Sequence, residues 1–501
     1  MRRILFPLLL SAQLAPVWAF AYLPTQDGPS HVLNALVLRD CGDPGARDHE
    51  FYERRVAPIP NWTAELLLAG LSLVMPPLMA EKVLASIYVL GLPLAVDFFL
   101  AGLGGGGEAA LLGLLFVFSR SFFLGFYNFN LSLILLFVAL GVFVRPGVRS
   151  PTIRLAALLT LAYFTHLAGY LLASFSLLWL WATGPEPRRK LGELWPALMP
   201  GAILAAHYLR SSQFFAEGGP RAIRGWLAPV PEGWASALLM RLPEALHREI
   251  FAVHAAAWPI GLLALAAAAC LCRRPVPRGW AGSLAGLAGV LLLCFVLVPD
   301  HLGAQGGFLK ARLAPLPFLL ALALLPGAAG RRSGPVTALL VAVVTLNLGL
   351  VLTHVAARNR ELAAFTAARH IVRTGETLFA VKPAPRGRAP LPAPLVDPFA
   401  ADYYCLAPRA VCLANYEGAT RHFPLRLRPG VKERIKQNRP GSFWADVILS
   451  YQADADALPL ASEPYVLVFS QGSLRLFRRA AASIRLGSEQ RDQHPVGGGG
   501  H

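Results

Sequence analysis

The chain has 501 residues, 55% of them hydrophobic and only 15% charged, with a mean hydropathy of +0.50; an ordinary soluble domain carries about 25% charged residues. Its formal charge of +17 sits largely in short clusters between apolar runs, "RRK" at 188, "RRPVPR" at 273 and "RR" at 331, the arrangement that sets membrane topology by cytoplasmic positive charge. No basic stripe with interleaved aromatics is present, so nucleic acid is excluded as a partner, and apolar runs of about 17 to 23 residues point to a polytopic α-helical membrane protein.

The first run, "MRRILFPLLLSAQLAPVWAFAY", begins like a signal peptide. It is read as an uncleaved helix, because it is long and further spans follow. That places the N-terminus inside and Asp27 outside. "TQDGPSH" follows. Gly28 and Pro29 end the first helix, and Pro29 suits the first turn of a new one, predicted over about 29–39 and lying in the membrane interface. A first extracytoplasmic loop covers 23–60. Spans are predicted at 62–80 and 82–102, and three crossings within 108–183, with breaks near Ser119–Arg120, Arg145–Arg154 and Gly169. Later spans are expected at 191–209, 251–272, 279–299, 313–329 and 335–355, with a second long loop over 210–250. The total is about eleven, which puts the C-terminus outside and the basic clusters inside.

The transmembrane domain is therefore drawn at 1–355. From 356 the texture changes to an extracytoplasmic α/β domain reaching 490, followed by a flexible tail, 491–501. "YVLVFS" and "SLRLFRR", joined by "QGS", read as a β-hairpin. Cys405 and Cys412 flank "CLAPRAVC" and are placed to close a disulfide if this domain is extracytoplasmic. No Cys/His spacing of metal type occurs, and nothing indicates a divalent metal. No P-loop, dinucleotide fingerprint, G-x-S-x-G or H-E-x-x-H is present, and "NWT" at Asn61 abuts a predicted span and is read as chance.

Asp27 has two readings. It caps the helix that follows, which Asp does well, or it acts at the membrane surface as a general base on an acceptor. His31, four residues on, faces the same side. Asp40, Asp48 and Glu50 in the same loop are further acids, each open to reading as a solvated charge. Lys310 and Arg312, with His301 nearby, lie at the outer end of a span; they hold an anion there or snorkel to head groups. Tyr127, Asn128, His166 and Tyr170 lie in or near apolar runs, where polar groups face protein or a wet cavity. Asp97 and Arg120 are placed to pair with each other.

The acid after the first helix, the long loop, "PIPNWTAELLLAGLSLVMPPLMAEKVLASIYVLGLPLAVDFFLAG", "GFYNFNLSLILLFVAL", "THLAGYLLA" and "FLKARLAPLPFLLAL" together resemble the GT-C superfamily of membrane glycosyltransferases. The nearest branch in texture holds the bacterial proteins related to protein mannosyltransferases and aminoarabinose transferases. The resemblance implies transfer of a sugar, with inversion, from a polyprenyl-phosphate carrier to an extracytoplasmic lipid, glycan or protein. It maps the first-loop acid onto Asp27, with His31 and Glu50 as its companions, and the phosphate ligands onto Arg312, Lys310 and His301. Members usually carry paired acids at this point. Here Asp27 is followed by Gly28 and Pro29, which leaves the second acid unplaced. The alternatives are a lipid or glycan flippase and a non-catalytic assembly protein. The Ala/Leu/Gly/Arg-rich composition points to the plasma membrane of a GC-rich bacterium, with membrane lipids and a lipid-linked sugar as partners.

Overall fold

The computed structural model describes residues 2–105, 108–185, 187–211, 248–251, 261, 264, 278–298, 300, 307–325, 333–381, 398–406, 409–413, 415, 417–420, 422–439, 441–451 and 464–480. Most of the expected span at 251–272, most of the second loop and the tail lie outside these residues, as does His301.

Among the described residues, four helices are long and apolar enough to cross a membrane: Pro77–Gly102, Tyr127–Val144, Gly279–Leu297 and Gly334–Ile371. Shorter apolar helices run over Ile4–Trp18, Ala109–Phe123, Pro151–Thr165 and Leu167–Thr183, and Pro187–Ser211 is a further long helix. Their outward faces leave Leu94, Ile153, Leu161, Ile203 and Leu293 exposed. A belt of exposed large apolar side chains on helices of this length is compatible with a membrane-embedded protein. Helices Pro77–Gly102 and Tyr127–Val144 approach closely at glycines. A Cβ on Gly91 would stand 2.6 Å from Ile134 Cδ1, and one on Gly141 would stand 2.4 Å from the Phe98 ring. Small residues admit such backbone approach where lipid supplies no hydrophobic drive.

Two stretches differ from expectation. The span predicted at 62–80 is a nine-residue helix, Thr63–Leu71, followed by a turn. Pro76 is extended (φ −56, ψ 145) and Pro77 opens the next helix, because a residue ahead of proline is driven out of the helical region. The stretch 108–183 holds four apolar helices rather than three. The break expected near Gly169 falls at His166, whose backbone is extended (φ −163, ψ 126) and whose side chain caps the helix after it by accepting from Ala168 N–H at 3.2 Å. Arg120 pairs with Glu249 at 2.5 Å rather than with Asp97.

Among the described residues, the C-terminal domain carries a five-stranded sheet of β2 (Thr377–Val381), β3 (Val411–Cys412), β5 (Val447–Tyr451), β6 (Tyr465–Gln471) and β7 (Leu474–Arg479), in the order β3-β2-β5-β7-β6. β2 is parallel to β3 and β5, whereas β7 is antiparallel to β5 and β6. The β6–β7 hairpin is the one read from the sequence, with Gly472 at φ +58 in its turn. A second sheet joins the two halves of the chain: β1 (Tyr52–Arg54), from the first loop, pairs antiparallel with β4 (Leu425–Leu427). Around it Arg409 reaches Asp40 at 2.6 Å and also Asp48, Glu53 meets Arg426 at 2.7 Å, and Tyr52 donates to Cys412 O at 2.9 Å. Cys405 and Cys412 are buried and free rather than bonded to each other.

The helix predicted over 29–39 forms as Gly28–Asp40. It is buried from Gly28 to Leu38, because helix Thr63–Leu71 and the C-terminal segments Pro398–Asp402 and Tyr403–Leu406 pack against it. Val32, Leu33, Leu36 and Val37 are almost wholly enclosed, each contributing roughly 1.5–3 kcal/mol by burial.

Candidate functional site

Asp27 stands at the N-cap of helix Gly28–Asp40, but its side chain makes no capping hydrogen bond. Its carboxylate accepts from Gln26 Nε2 at 3.3 Å, while its backbone carbonyl receives His31 N–H at 3.0 Å, the first helical bond. The peptide ahead of the helix is clamped: Gln26 N–H reaches Phe123 O at 2.9 Å and Asp27 N–H reaches Leu124 O at 3.1 Å. Gly125 (φ +76) follows these carbonyls, and a Cβ there would stand 2.8 Å from Gly28 N. Both its dihedral and the close approach require glycine.

Asp27, His31, Asn128, His166 and Arg312 line one cavity of about 450 Å³, together with Phe126, Phe308 and His422. The sequence singled out five of these residues from four separate stretches, and the fold brings them together. The Arg312 guanidinium lies 4.4 Å from the Phe126 ring centre and 5.6 Å from that of Phe129, with Nη1 donating to Gly307 O. Stacking of this kind fixes a planar cation in a defined orientation. His422 arrives from the C-terminal domain and bonds Tyr208 through Nδ1.

Behind the cavity wall lies a buried polar cluster. His31 Nδ1 stands 2.9 Å from Glu65 Oε1 and 3.1 Å from Glu417 Oε1. Asn128 serves twice: its Oδ1 accepts Ala64 N–H at 2.8 Å, at the start of helix Thr63–Leu71, and its Nδ2 donates to Glu65 Oε2 at 2.9 Å. Asn34 Nδ2 donates to Glu417 Oε2, and Asn34 Oδ1 accepts from Asn415 Nδ2 at 2.6 Å. Burial by itself would lower the His31 pKa, but the carboxylates of Glu417 and Glu65, with Asp27 near, outweigh it and lift it to about 10. Glu417 is pushed up by burial against the opposing pull of His31.

Other predicted residues fall elsewhere. Glu50 does not reach the cavity; it is half exposed and lies 3.8 Å from Arg47, because the four-residue helix Asp48–Phe51 turns it to the surface. Asp40 and Asp48 are both engaged by Arg409. Lys310 lies with its ammonium 5.8 Å from the Phe295 ring, and its N–H bonds Asp300 at 3.1 Å; it is not among the lining residues. Tyr127 sits one layer back, donating to Glu81 Oε1 at 2.6 Å and meeting Thr25 Oγ1 at 2.9 Å. Tyr170 turns away to Leu198 O at 3.3 Å. Glu65, Glu81, Glu417 and His422 were not picked out from the sequence. Asn61, set aside as a chance glycosylation motif, also lines the cavity, with φ +64 and its amide on His422 O at 3.1 Å.

Compared with protein-family models, curated proteins and solved structures, the chain matches none of them. What the cavity can do therefore rests on its own chemistry. It offers a carboxylate on one wall, a stacked guanidinium on another, and imidazoles at His31, His166 and His422.

Proposed function

We propose that the chain is a membrane glycosyltransferase that moves a sugar from a polyprenyl-phosphate donor to an extracytoplasmic acceptor with inversion. The observation that carries this reading is that Asp27, at a helix start it does not cap, and Arg312, stacked on Phe126, line the same cavity. In this reading the Asp27 carboxylate takes the proton of the acceptor nucleophile as it attacks the anomeric carbon. The bond from that carbon to the phosphate oxygen breaks with its electron pair leaving on the phosphate. Arg312 neutralises the departing anion, with the imidazoles of His166 and His422 beside it. A single displacement inverts the anomeric centre.

The same reading assigns eleven passes when residues 251–272 are counted. Helix Thr63–Leu71 then makes no pass, and the four apolar helices of 108–183, Tyr127–Val144 and the three shorter ones, make four. Its support is that Phe123 meets Gln26, Phe164 meets Trp62 and Tyr208 meets His422, so the helix ends nearest the site share one side with the C-terminal domain. That side is extracytoplasmic, and the membrane is the bacterial plasma membrane. Purified protein incubated with a polyprenyl-phosphate sugar and a hydroxyl acceptor is expected to release polyprenyl phosphate, and Asp27→Asn to do so at least 100-fold more slowly. Equal rates for the two proteins overturn the reading. Lipid flux across vesicles without any covalent product would favour a flippase.

A further inference from the structure

We propose that His31, Glu65 and Glu417 form a binding site for one divalent cation of the Mn²⁺ or Zn²⁺ type. One ligand atom from each of the three lies within 4.8 Å of the other two, and the side chains are 5%, 1% and 0% exposed. The proposal does not depend on sugar transfer, since a non-enzymatic protein would bind the ion equally well.

Proton count drives the inference. Two carboxylate oxygens, Glu65 Oε1 and Glu417 Oε1, stand 2.9 and 3.1 Å from the same nitrogen, His31 Nδ1. A ring nitrogen carries at most one hydrogen and donates it in one direction. One of the two oxygens is therefore left without it. That atom is Glu417 Oε1, which makes no hydrogen bond among the described residues although it is fully buried. A buried carboxylate oxygen without a hydrogen bond is among the more expensive arrangements a fold can hold. The opposite oxygens are already occupied: Glu65 Oε2 by Asn128, and Glu417 Oε2 by Asn34, itself held by Asn415. Amides that fix the outer oxygen of a carboxylate orient the inner one, as the partners of metal ligands do.

Charge and geometry agree with a cation at the point where these atoms converge. Once the ion displaces the proton from His31 Nδ1, a neutral imidazole and two carboxylates sum to −2, and a divalent ion brings the buried group to zero. Separations of 2.9 and 3.1 Å match the edge of an octahedron with bonds near 2.1 Å, which is about 3.0 Å. Two hard oxygens and one imidazole nitrogen suit Mn²⁺ or Zn²⁺ and disfavour ions that need thiolate. Because His31 also lines the cavity, remaining coordination positions are open to water or to a substrate oxygen.

Full-length protein in detergent is stripped with a chelator and titrated with Mn²⁺, free ion being followed by electron paramagnetic resonance, with Zn²⁺ as competitor. One saturable site per chain is expected, along with a raised Tm. Pulsed spectroscopy of the bound Mn²⁺ should show coupling to a histidine nitrogen. Glu417→Gln and Glu65→Gln should each weaken binding at least tenfold, whereas Glu433→Gln, on an exposed helix, should not. A folded, unmodified protein that binds neither ion, bound Mn²⁺ without nitrogen coupling, or unaltered affinity in both variants overturns the proposal. The first two measurements need no substitution, so a variant that fails to fold cannot shelter it.

Discussion

Glu81 places a carboxylate oxygen where a side chain on Gly28 would begin. A Cβ built on Gly28 would stand 2.2 Å from Glu81 Oε1, 2.1 Å from Thr25 Oγ1 and 2.6 Å from Tyr127 OH. The residue after Asp27 is thus a glycine because helix Pro77–Gly102 delivers an acid into the same space from another direction. Gly28→Ala tests this. On helix propensity alone the change should stabilise by about 1 kcal/mol. The collision involves three polar atoms from three different segments, and overpacking of that kind costs about 1–3 kcal/mol. The collision should win: thermal unfolding is expected at a lower temperature, with impaired transfer. A variant more stable than the parent would mean that the Thr25–Tyr127–Glu81 cluster is not packed against this backbone.

Asp27 separates stability from function. Losing a side-chain cap costs about 0.5–2 kcal/mol, but the Asp27 side chain makes no cap bond. Asp27→Asn should therefore cost less than the loss of a cap, about 2 kcal/mol at most, while slowing transfer at least 100-fold. Thermal unfolding and initial rates measured on the same preparation decide it. A large loss of stability in Asp27→Asn would restore the capping role.

Arg312 is expected to resist conservative replacement. Lysine keeps the charge but loses the planar fork and the stacking on Phe126. Arg312→Lys should raise KM for the lipid-linked donor about tenfold, worth about 1.4 kcal/mol, with kcat nearly unchanged. Arg312→Ala should lose kcat as well, because the leaving phosphate is then no longer neutralised. Identical kinetics for arginine and lysine would reduce Arg312 to a lipid-facing cation.

Part of this site was legible in the sequence. Asp27, His31, Asn128, His166 and Arg312 stand out because each is polar beside a break in an apolar run, and membrane depth makes such residues conspicuous. Glu417 carries no such mark. It sits in "ANYEGAT", within a domain whose charges look ordinary, and acquires meaning only when β4 pairs with β1 and brings the domain onto helix Gly28–Asp40. Glu65 was hidden differently. The run "AELLLAGLSLVM" reads as part of a span, whereas the turn ahead of Pro77 makes it a short helix with Glu65 turned inward. Glu50 was overvalued because its closeness to Asp27 in sequence is not closeness in space. Boundaries set by proline and glycine were readable from local chemistry; pairings between distant segments were not.

The C-terminal sheet offers a test in pH. Asp446 Oδ2 accepts from Thr377 N–H and Thr377 Oγ1, both at 2.8 Å, and from Arg47 Nη1 at 3.0 Å, so it joins the starts of β2 and β5 to the first loop. Burial pushes its pKa up, but the Thr377 bonds and Arg47 outweigh this and hold it below the ordinary carboxylate value. The folded state thus favours the ionised form. Its contribution is complete above the unfolded Asp value of about 3.9 and fades as pH falls through the lower folded value. The side chain is 36% exposed, so screening limits the effect to about 1 kcal/mol. Asp446→Asn should lower Tm at pH 7, and the gap to the unmodified protein should close as the pH is taken below about 4. A gap of the same size at both ends of that range would show that the amide and hydroxyl bonds of Thr377, rather than the charge of Asp446, hold the two strands.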